Sequence, residues 1–529
     1  MLPDPRDALA RCDWREAHRL CMARLAASPE DGDALAGLAS IAEAHGNFAQ
    51  AEGLLQRCRS SAPDDPGYAV RHARLLSLLS RPDEAAAAAD AALAIGVERY
   101  AELETLGVVL SRVERHDEAA ALFLRAAELR PDHVVAHRNL GNALRFCGRF
   151  AAAETAYARA IALDPDDSEA WLAKVGLRRQ RADDDPTPEL QALWMRRGDE
   201  PDHILRIGHA LAKTAEDLGD RDAAMRSIAA AKQAKAAQVR HDPDRTDRIY
   251  EAAIATCTPA DLPSSGLAGP APILVVGAPR TGTTLVERIL SSHSAIMSVG
   301  ESGALSLAVK RLGGTRSNHV LDEETLRAAR AIVPEAIGRA YVGAVGARLP
   351  TGVRSVDKMP LNLLYAGIAH RALPDARIVR LRRHTLDAVL ANWRQLFAPR
   401  AGHYDHVWSM EHIARWIVAV ERVAAHWRVV LPPDRYFEIG YEEIVADQER
   451  ATRRLLDFCG LPFEQACLRF HENAAPVSTA SAVQVREPIH ARSVGAWRGV
   501  ERHLVPAIAV LRAAGLIDAA GDPAGIAAG

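Results

Sequence analysis

One spacing constrains the N-terminal half of this 529-residue chain more than any other property, and it is 34 residues. Ala17, Ala51, Ala85, Ala119 and Ala153 follow one another at that interval without a gap. Pro29, Pro63, Pro131 and Pro165 keep the same step, with Val97 in the skipped slot. A third column holds Leu38-Ala39, His72-Ala73, Leu106-Gly107 and Leu140-Gly141. Three independent columns at one period predict a repeated structural unit. The half is rich in alanine, which favours helix. Small residues let two helices approach, and proline ends the second because it cannot continue the hydrogen-bond ladder. Units are expected at about 32–65, 66–99, 100–133 and 134–167, with a partial one before them. Each unit exposes an apolar face that only its neighbours can cover, so the units should stack into an all-α solenoid.

These columns resemble the tetratricopeptide repeat, a helix–turn–helix unit of the same period. The resemblance implies a surface that binds a protein or peptide. After Trp171 the register drifts, and "RADDDPTPEL" looks like a break. Residues 204–237 read again as a helical hairpin. Residues 258–272, "TPADLPSSGLAGPAP", are rich in Pro, Gly and Ser and read as a linker. The expected organisation is therefore repeats over 1–175, a degenerate helical connector over 176–257, the linker, a second domain over 273–516 and a flexible tail over 517–529.

From Ile273 the pattern changes. "ILVVGAP", "ARIVRLRR" and "YFEIGYEEIV" read as buried strands. Helical segments separate them, at about 283–293, 325–348, 385–397, 411–430 and 447–459. Such alternation predicts an α/β domain with a parallel sheet, and ligands at the carboxyl ends of its strands. One loop stands at such an end. In "VVGAPRTGTTLVERIL", Gly277 and Gly282 have the spacing of a phosphate-binding loop, yet Thr283 occupies the position of the usual lysine. A loop that opens a helix still offers N–H groups and a positive dipole end to an anion. Gly282 lets the backbone come close, Thr283 and Thr284 add hydroxyls, and Arg280 supplies the charge. The chemistry left is a phosphate-like group bound without a metal-centred triphosphate clamp.

"GAPRTGTTLVERILSSHS" resembles the 5′-phosphosulfate loop of sulfotransferases, which use 3′-phosphoadenosine-5′-phosphosulfate (PAPS) as co-substrate. The subgroup it is similar to is that of tyrosylprotein sulfotransferases and their bacterial relatives fused to tetratricopeptide repeats. Further stretches match in order: "VGES" (299–302), "VDKMPLN" (356–362), "VRLRRHTLDAVLANW" (379–393), "YEEIV" (441–445) and "TASAVQVREPI…SVGAW" (479–497). The resemblance covers about 272–516. It implies transfer of a sulfuryl group to an acceptor hydroxyl, a protein tyrosine being one candidate, with 3′-phosphoadenosine-5′-phosphate as product. It places the general base at Glu301. Arg280, Lys358 and Ser481 then meet the charge on the leaving 5′-phosphate. It places the co-substrate against Pro279, Arg280, Thr281, Gly282, Thr283, Thr284, Arg383, Tyr441 and Ser481, with Arg383 on the 3′-phosphate. Two departures stand out. Ala391 replaces the family's usual serine, and Ala496 replaces a lysine of the tyrosylprotein enzymes. Asn392 or Arg394 could compensate for the first.

The rest narrows the field. A net charge of −3 suggests no nucleic-acid partner. No run approaches the roughly 18–20 apolar residues of a membrane helix. The N-terminus has no signal-peptide pattern, and the 7 cysteines are scattered without metal spacing. A cytoplasmic protein with free thiols and no metal is expected. His384, His403 and His406 could line the substrate cleft, but they read more simply as exposed residues and are left outside the site. Two rivals remain: a P-loop kinase or NTPase using Thr284 on magnesium, and a repeat scaffold whose second domain has lost activity. The oligomeric state is left open.

Overall fold

The computed structural model describes residues 4–79, 81–239, 241–262, 265–317, 319–346, 349–397, 404–473, 475 and 483–524. The chain divides into two compact units, 1–177 and 178–529.

The first unit is helical throughout. Its repeats are the pairs Gly32–Ala44 with Phe48–Ser61, Pro66–Leu78 with Pro82–Ile95, Tyr100–Arg112 with His116–Leu129, and Val134–Phe146 with Phe150–Leu163. Pro5–Ala10 and Trp14–Ala27 precede them, and Ser168–Val175 follows. The small-residue column works as the spacing predicts. A Cβ on Gly107 would lie 2.7 Å from the Phe123 ring, and one on Gly141 would lie 2.6 Å from Tyr157. Ala85, Ala119 and Ala153 are fully buried on the opposing helices. Each periodic proline stands two residues past a helix end. In the slot without proline, Gly96 adopts φ +100° and closes the helix instead.

The second unit holds a five-stranded parallel sheet: β1 (Ile273–Gly277), β2 (Ile296–Ser298), β3 (Arg354–Lys358), β4 (Arg377–Arg382) and β5 (Tyr436–Gly440). Their order is β2-β3-β1-β4-β5. β1, in the middle, is buried at every position, as its unbroken apolar run requires. β5 is shorter than the run suggested, because Tyr441 already begins the helix Tyr441–Ala446. β2, three residues long, had no sequence signature of its own. The expected helix over 325–348 is split into Glu323–Ala328 and Pro334–Gly346, with proline opening the second.

The domain boundary differs from the expected one. Residues 201–236 form the predicted hairpin, as Pro201–Asp217 and Arg221–Ala236. Its apolar side chains nevertheless share a core with the sheet: Ala212, Met225 and Ile228, joined by Tyr250 and Cys257, pack with Leu274, Val276 and Trp427. The Pro/Gly-rich stretch 258–272 is therefore no interdomain spacer. Leu267 donates its N–H to the Ala372 carbonyl at 2.8 Å, and a Cβ on Gly266 would meet the Arg371 carbonyl at 2.2 Å. Glycine there serves close packing rather than freedom. The start of the expected tail is also fixed. Ile517 is buried and bridges Pro523, and Gly521 lies against Trp497.

Candidate active site

The carboxyl ends of all five strands converge on one edge. β1 runs into the loop 277–282, and the helix Thr283–Ser291 starts from it. Gly277 (φ +148°), Arg280 (φ +66°) and Gly282 (φ +108°) turn this loop tightly. At Gly282 a Cβ would lie 2.8 Å from the Tyr441 ring, so only glycine fits. Arg280 is not glycine, and holding it there costs about 1–3 kcal/mol, the kind of strain found at ligand clamps. At the start of the helix the Leu285 N–H donates to the Gly282 carbonyl at 2.9 Å, and the N–H groups of a helix's first turn have no partner inside it. Thr281, Thr283 and Thr284 are buried, and Thr281 Oγ1 donates to the Ala278 carbonyl at 2.7 Å. Asn392, fully buried, donates its side-chain amide to the Pro279 carbonyl at 3.0 Å and to the Ala388 carbonyl at 2.9 Å. The residue beside the Ala391 departure thus holds the backbone of the loop. Arg394 pairs instead with Glu216 at 2.9 Å.

Beyond β4, Arg383 donates to the Arg280 carbonyl at 3.1 Å and to the Ser493 carbonyl. Its guanidinium lies 4.9 Å from the centre of the Tyr441 ring. Among the described residues, Arg383 Nε and Thr385 Oγ1 are buried without a hydrogen-bond partner. Burial and the neighbouring Arg383 lower the Arg280 guanidinium to about 10. Two cations share this corner, so an anion bound between them relieves their repulsion. A segment from the C-terminus closes over it. Asp387 accepts from the N–H groups of Gly495 (2.7 Å) and Trp497 (2.9 Å), and His384 stacks on Trp497 at 5.5 Å. Gln484 accepts from Arg280 at 3.3 Å. The Ala496 carbonyl accepts from Arg221, so the position that lacks a lysine side chain is used through its backbone.

On the other side, Lys358 ends β3 and is fully buried. It forms an ion pair with Glu301, which follows β2 and is 48% exposed. The Glu301 side chain is therefore partly open to solvent. Glu287, on the helix Thr283–Ser291, lies 3.8 Å from the Lys358 ammonium. Asp357 is buried and accepts from the Tyr341 hydroxyl at 3.2 Å. Burial raises its carboxyl to about 8. Burial also raises Glu287 above the usual carboxylate range. Burial lifts the Tyr404 phenol to about 12, with the charge of Glu301 adding to the effect.

The structure thus brings Pro279–Thr284, Arg383 and Tyr441 together on one side, and Glu301 and Lys358 on the other. Ser481 and His403 lie outside the described residues. His406 is not exposed as expected. It is buried and stacks on Trp416 at 4.4 Å. Sequence reasoning missed Glu287, Asp357 and Asp387. Glu287 and Asp387 stand inside apolar stretches, "LVERIL" and "TLDAVL", which signals burial but no role, and Asp357 in "SVDKM" lacks even that signal. Among the described residues no group of His, Cys, Asp and Glu side chains is placed to hold a metal ion, and no helix is long and apolar enough to cross a membrane.

Comparison with known proteins bears on the two units. Residues 272–465 match the sulfotransferase family, and 8–75 and 112–175 match the tetratricopeptide repeat. An uncharacterized protein of Aquifex aeolicus is 29% identical over 314 residues, covering 58% of this chain and 41% of that protein. A protein-tyrosine sulfotransferase of Drosophila melanogaster is 24% identical over 243 residues, covering 43% of this chain and 47% of the other. The chain spans less than half the length of either relative. Among solved structures, the sulfotransferase domain from the curacin biosynthetic pathway aligns with a TM-score of 0.34 and 17% identity, over 47% of this chain and 98% of that one. The chain carries tetratricopeptide repeats followed by a sulfotransferase-family domain.

Proposed function

We propose that the sheet domain moves a sulfuryl group from PAPS to an acceptor hydroxyl. The observation that carries this reading is the pairing of a lysine-free anion loop with a buried lysine and an accessible glutamate across the same strand ends. The donor group supplies an activated sulfuryl. The protein supplies position and charge, which is most of what such a transfer requires. The loop 277–282 and Arg280 hold the 5′-phosphate. Arg383, with its unused Nε, and Tyr441 suit the 3′-phosphate end. Ser481 adds a hydroxyl to the 5′ side. Glu301 takes the acceptor proton as the acceptor oxygen bonds to sulfur. The electrons of the broken sulfur–oxygen bond stay on the 5′-phosphate, against Arg280 and Lys358. The repeats hold the acceptor or a partner protein, and a peptide tyrosine is the acceptor that the fly relative suggests.

Two measurements test the reading. The protein should bind 3′-phosphoadenosine-5′-phosphate far more tightly than AMP, and Arg383→Ala should narrow that gap. Labelled PAPS should pass its sulfate to a tyrosine-containing peptide. Tighter binding of ATP with magnesium than of the bisphosphate overturns the sulfotransferase reading in favour of an NTPase.

A further inference from the structure

The ion pair between Glu301 and Lys358 poses a difficulty for the reaction just proposed. Once Glu301 takes the acceptor proton it is neutral and no longer a counter-charge to Lys358. Lys358 would then be a buried cation without a counter-charge, and such a group tends to lose its proton. Losing it would remove the charge needed against the leaving oxygen.

Glu287 answers this difficulty. It projects from the helix that the anion loop opens, with its carboxylate 3.8 Å from the Lys358 ammonium. Its other oxygen accepts from Ser298 Oγ at 2.5 Å. Ser298 Oγ accepts the N–H of Gly300 at 3.0 Å, and the Gly300 carbonyl accepts the N–H of Lys358 at 3.0 Å. These bonds tie Glu287, the segment that leads into Glu301, and Lys358 into one closed ring. We propose that Glu287 is a positioning residue, the second counter-charge that keeps the Lys358 ammonium charged and in place when Glu301 takes the acceptor proton.

The other charged neighbours do not fill this role. Asp357 is next to Lys358 on β3 and therefore points to the opposite face. Burial raises its carboxyl to about 8, which favours its neutral form. Tyr341 faces Asp357, not the ammonium. Arg288 follows Glu287, but its guanidinium donates to the carbonyls of Asn473 and Ala475. Glu287 itself is no rival to Glu301 as base. Its side chain is 9% exposed against 48% for Glu301, so an acceptor cannot reach it.

The inference rests on the sulfotransferase reading for its purpose, yet its physical core can be tested without activity. Single Glu287→Gln and Glu301→Gln variants each leave Lys358 one carboxylate, and the double variant leaves none. The melting temperature of the double variant should fall well beyond the sum of the single effects, because the two sites share one partner. Should the double variant fail to fold, Lys358→Met in that background should restore folding. Additive effects, or no recovery with Lys358→Met, overturn the inference. In the active enzyme, Glu287→Gln should lower kcat roughly 10-fold and move the alkaline limb of its pH profile down by about one unit. Acceptor KM should stay near wild type, and Glu287→Asp should recover part of the loss. An unmoved alkaline limb is equally fatal to it. Absence of any transfer from PAPS by the wild type sinks the sulfotransferase reading instead, and leaves the melting cycle to decide the role of Glu287.

Discussion

The two units of this chain bury different things. The repeat unit is packed with alanine, leucine and a few aromatic rings, such as Ala73, Leu103, Ala119, Phe123 and Tyr157. The sheet unit has an apolar core too, but it also buries Asp357, Lys358, Arg380 and Lys232 at 1% exposure or less. Burying charge is costly unless it is paired or neutralised. Each case is solved differently. Arg380 pairs with Glu421 and Glu438. Burial drops Lys232 far below the usual lysine range, and it donates to the Val407 carbonyl at 2.9 Å. Lys358 keeps two carboxylates. Buried charge alone therefore does not mark a site. Buried charge at the carboxyl end of a parallel strand, beside a glycine-bounded loop that opens a helix, does so far better. Among its described residues the repeat unit has no comparable place: its buried acids Glu102 and Asp167 pair with Arg99 and Arg138.

Four experiments would break or sharpen this contrast. The largest effect is expected from truncation. A chain beginning at Arg178 should melt cooperatively and bind 3′-phosphoadenosine-5′-phosphate. One beginning at Leu262 should do neither, because Met225, Ile228 and Tyr250 would be stripped from the core. Equal binding by both would mean that residues 178–257 belong functionally with the repeats after all.

Next is Glu301→Gln. Turnover should fall by roughly 10²–10⁴-fold while bisphosphate affinity stays near wild type. Transfer at the wild-type rate would move the base elsewhere. The third change strikes the other unit. Gly141→Leu drives a side chain into Tyr157 and should destabilise the repeats by roughly 1–3 kcal/mol. Bisphosphate binding, measured by calorimetry, should not change. A matching loss of binding would couple the two units in a way that their separate cores do not suggest.

The fourth test is a pH dependence. The Asp357 carboxyl sits near 8 in the fold against 3.8 for the ordinary group. The folded state therefore binds the extra proton between about pH 4 and 8. Its contribution to stability is fully present below that window, falls as pH rises through it, and levels off above about 8. Asp357→Asn should remove a slope of at most about 1.4 kcal/mol per pH unit. The variant should thus gain on wild type in melting temperature from pH 5 to pH 8. Parallel curves would show that Asp357 is charged in the fold.

Much of the molecule is legible in the sequence alone. A strict 34-residue spacing between small residues and prolines can be satisfied by few backbones, since each column depends only on neighbours in sequence. The loop 277–282 is legible for a similar reason. Gly277, Arg280 and Gly282 act through local backbone geometry, and their spacing is the geometry. The domain boundary is not legible. Proline, glycine and serine over 258–272 report local turns, but not that Gly266 packs against the Arg371 carbonyl. Nor can Glu287 be read. Its role depends on Ser298 and on Lys358, 71 residues further along the chain.

By itself, then, the sequence determined what short-range rules can decide: the helix pairs, the central strands and the glycine-bounded loop that opens a helix. Tertiary structure alone decided which charges share a site. Electrostatic energy falls with distance in space, not along the chain. Parallel strands brought Glu301, Lys358 and Arg383 to one edge across crossovers whose lengths carry no trace of that meeting.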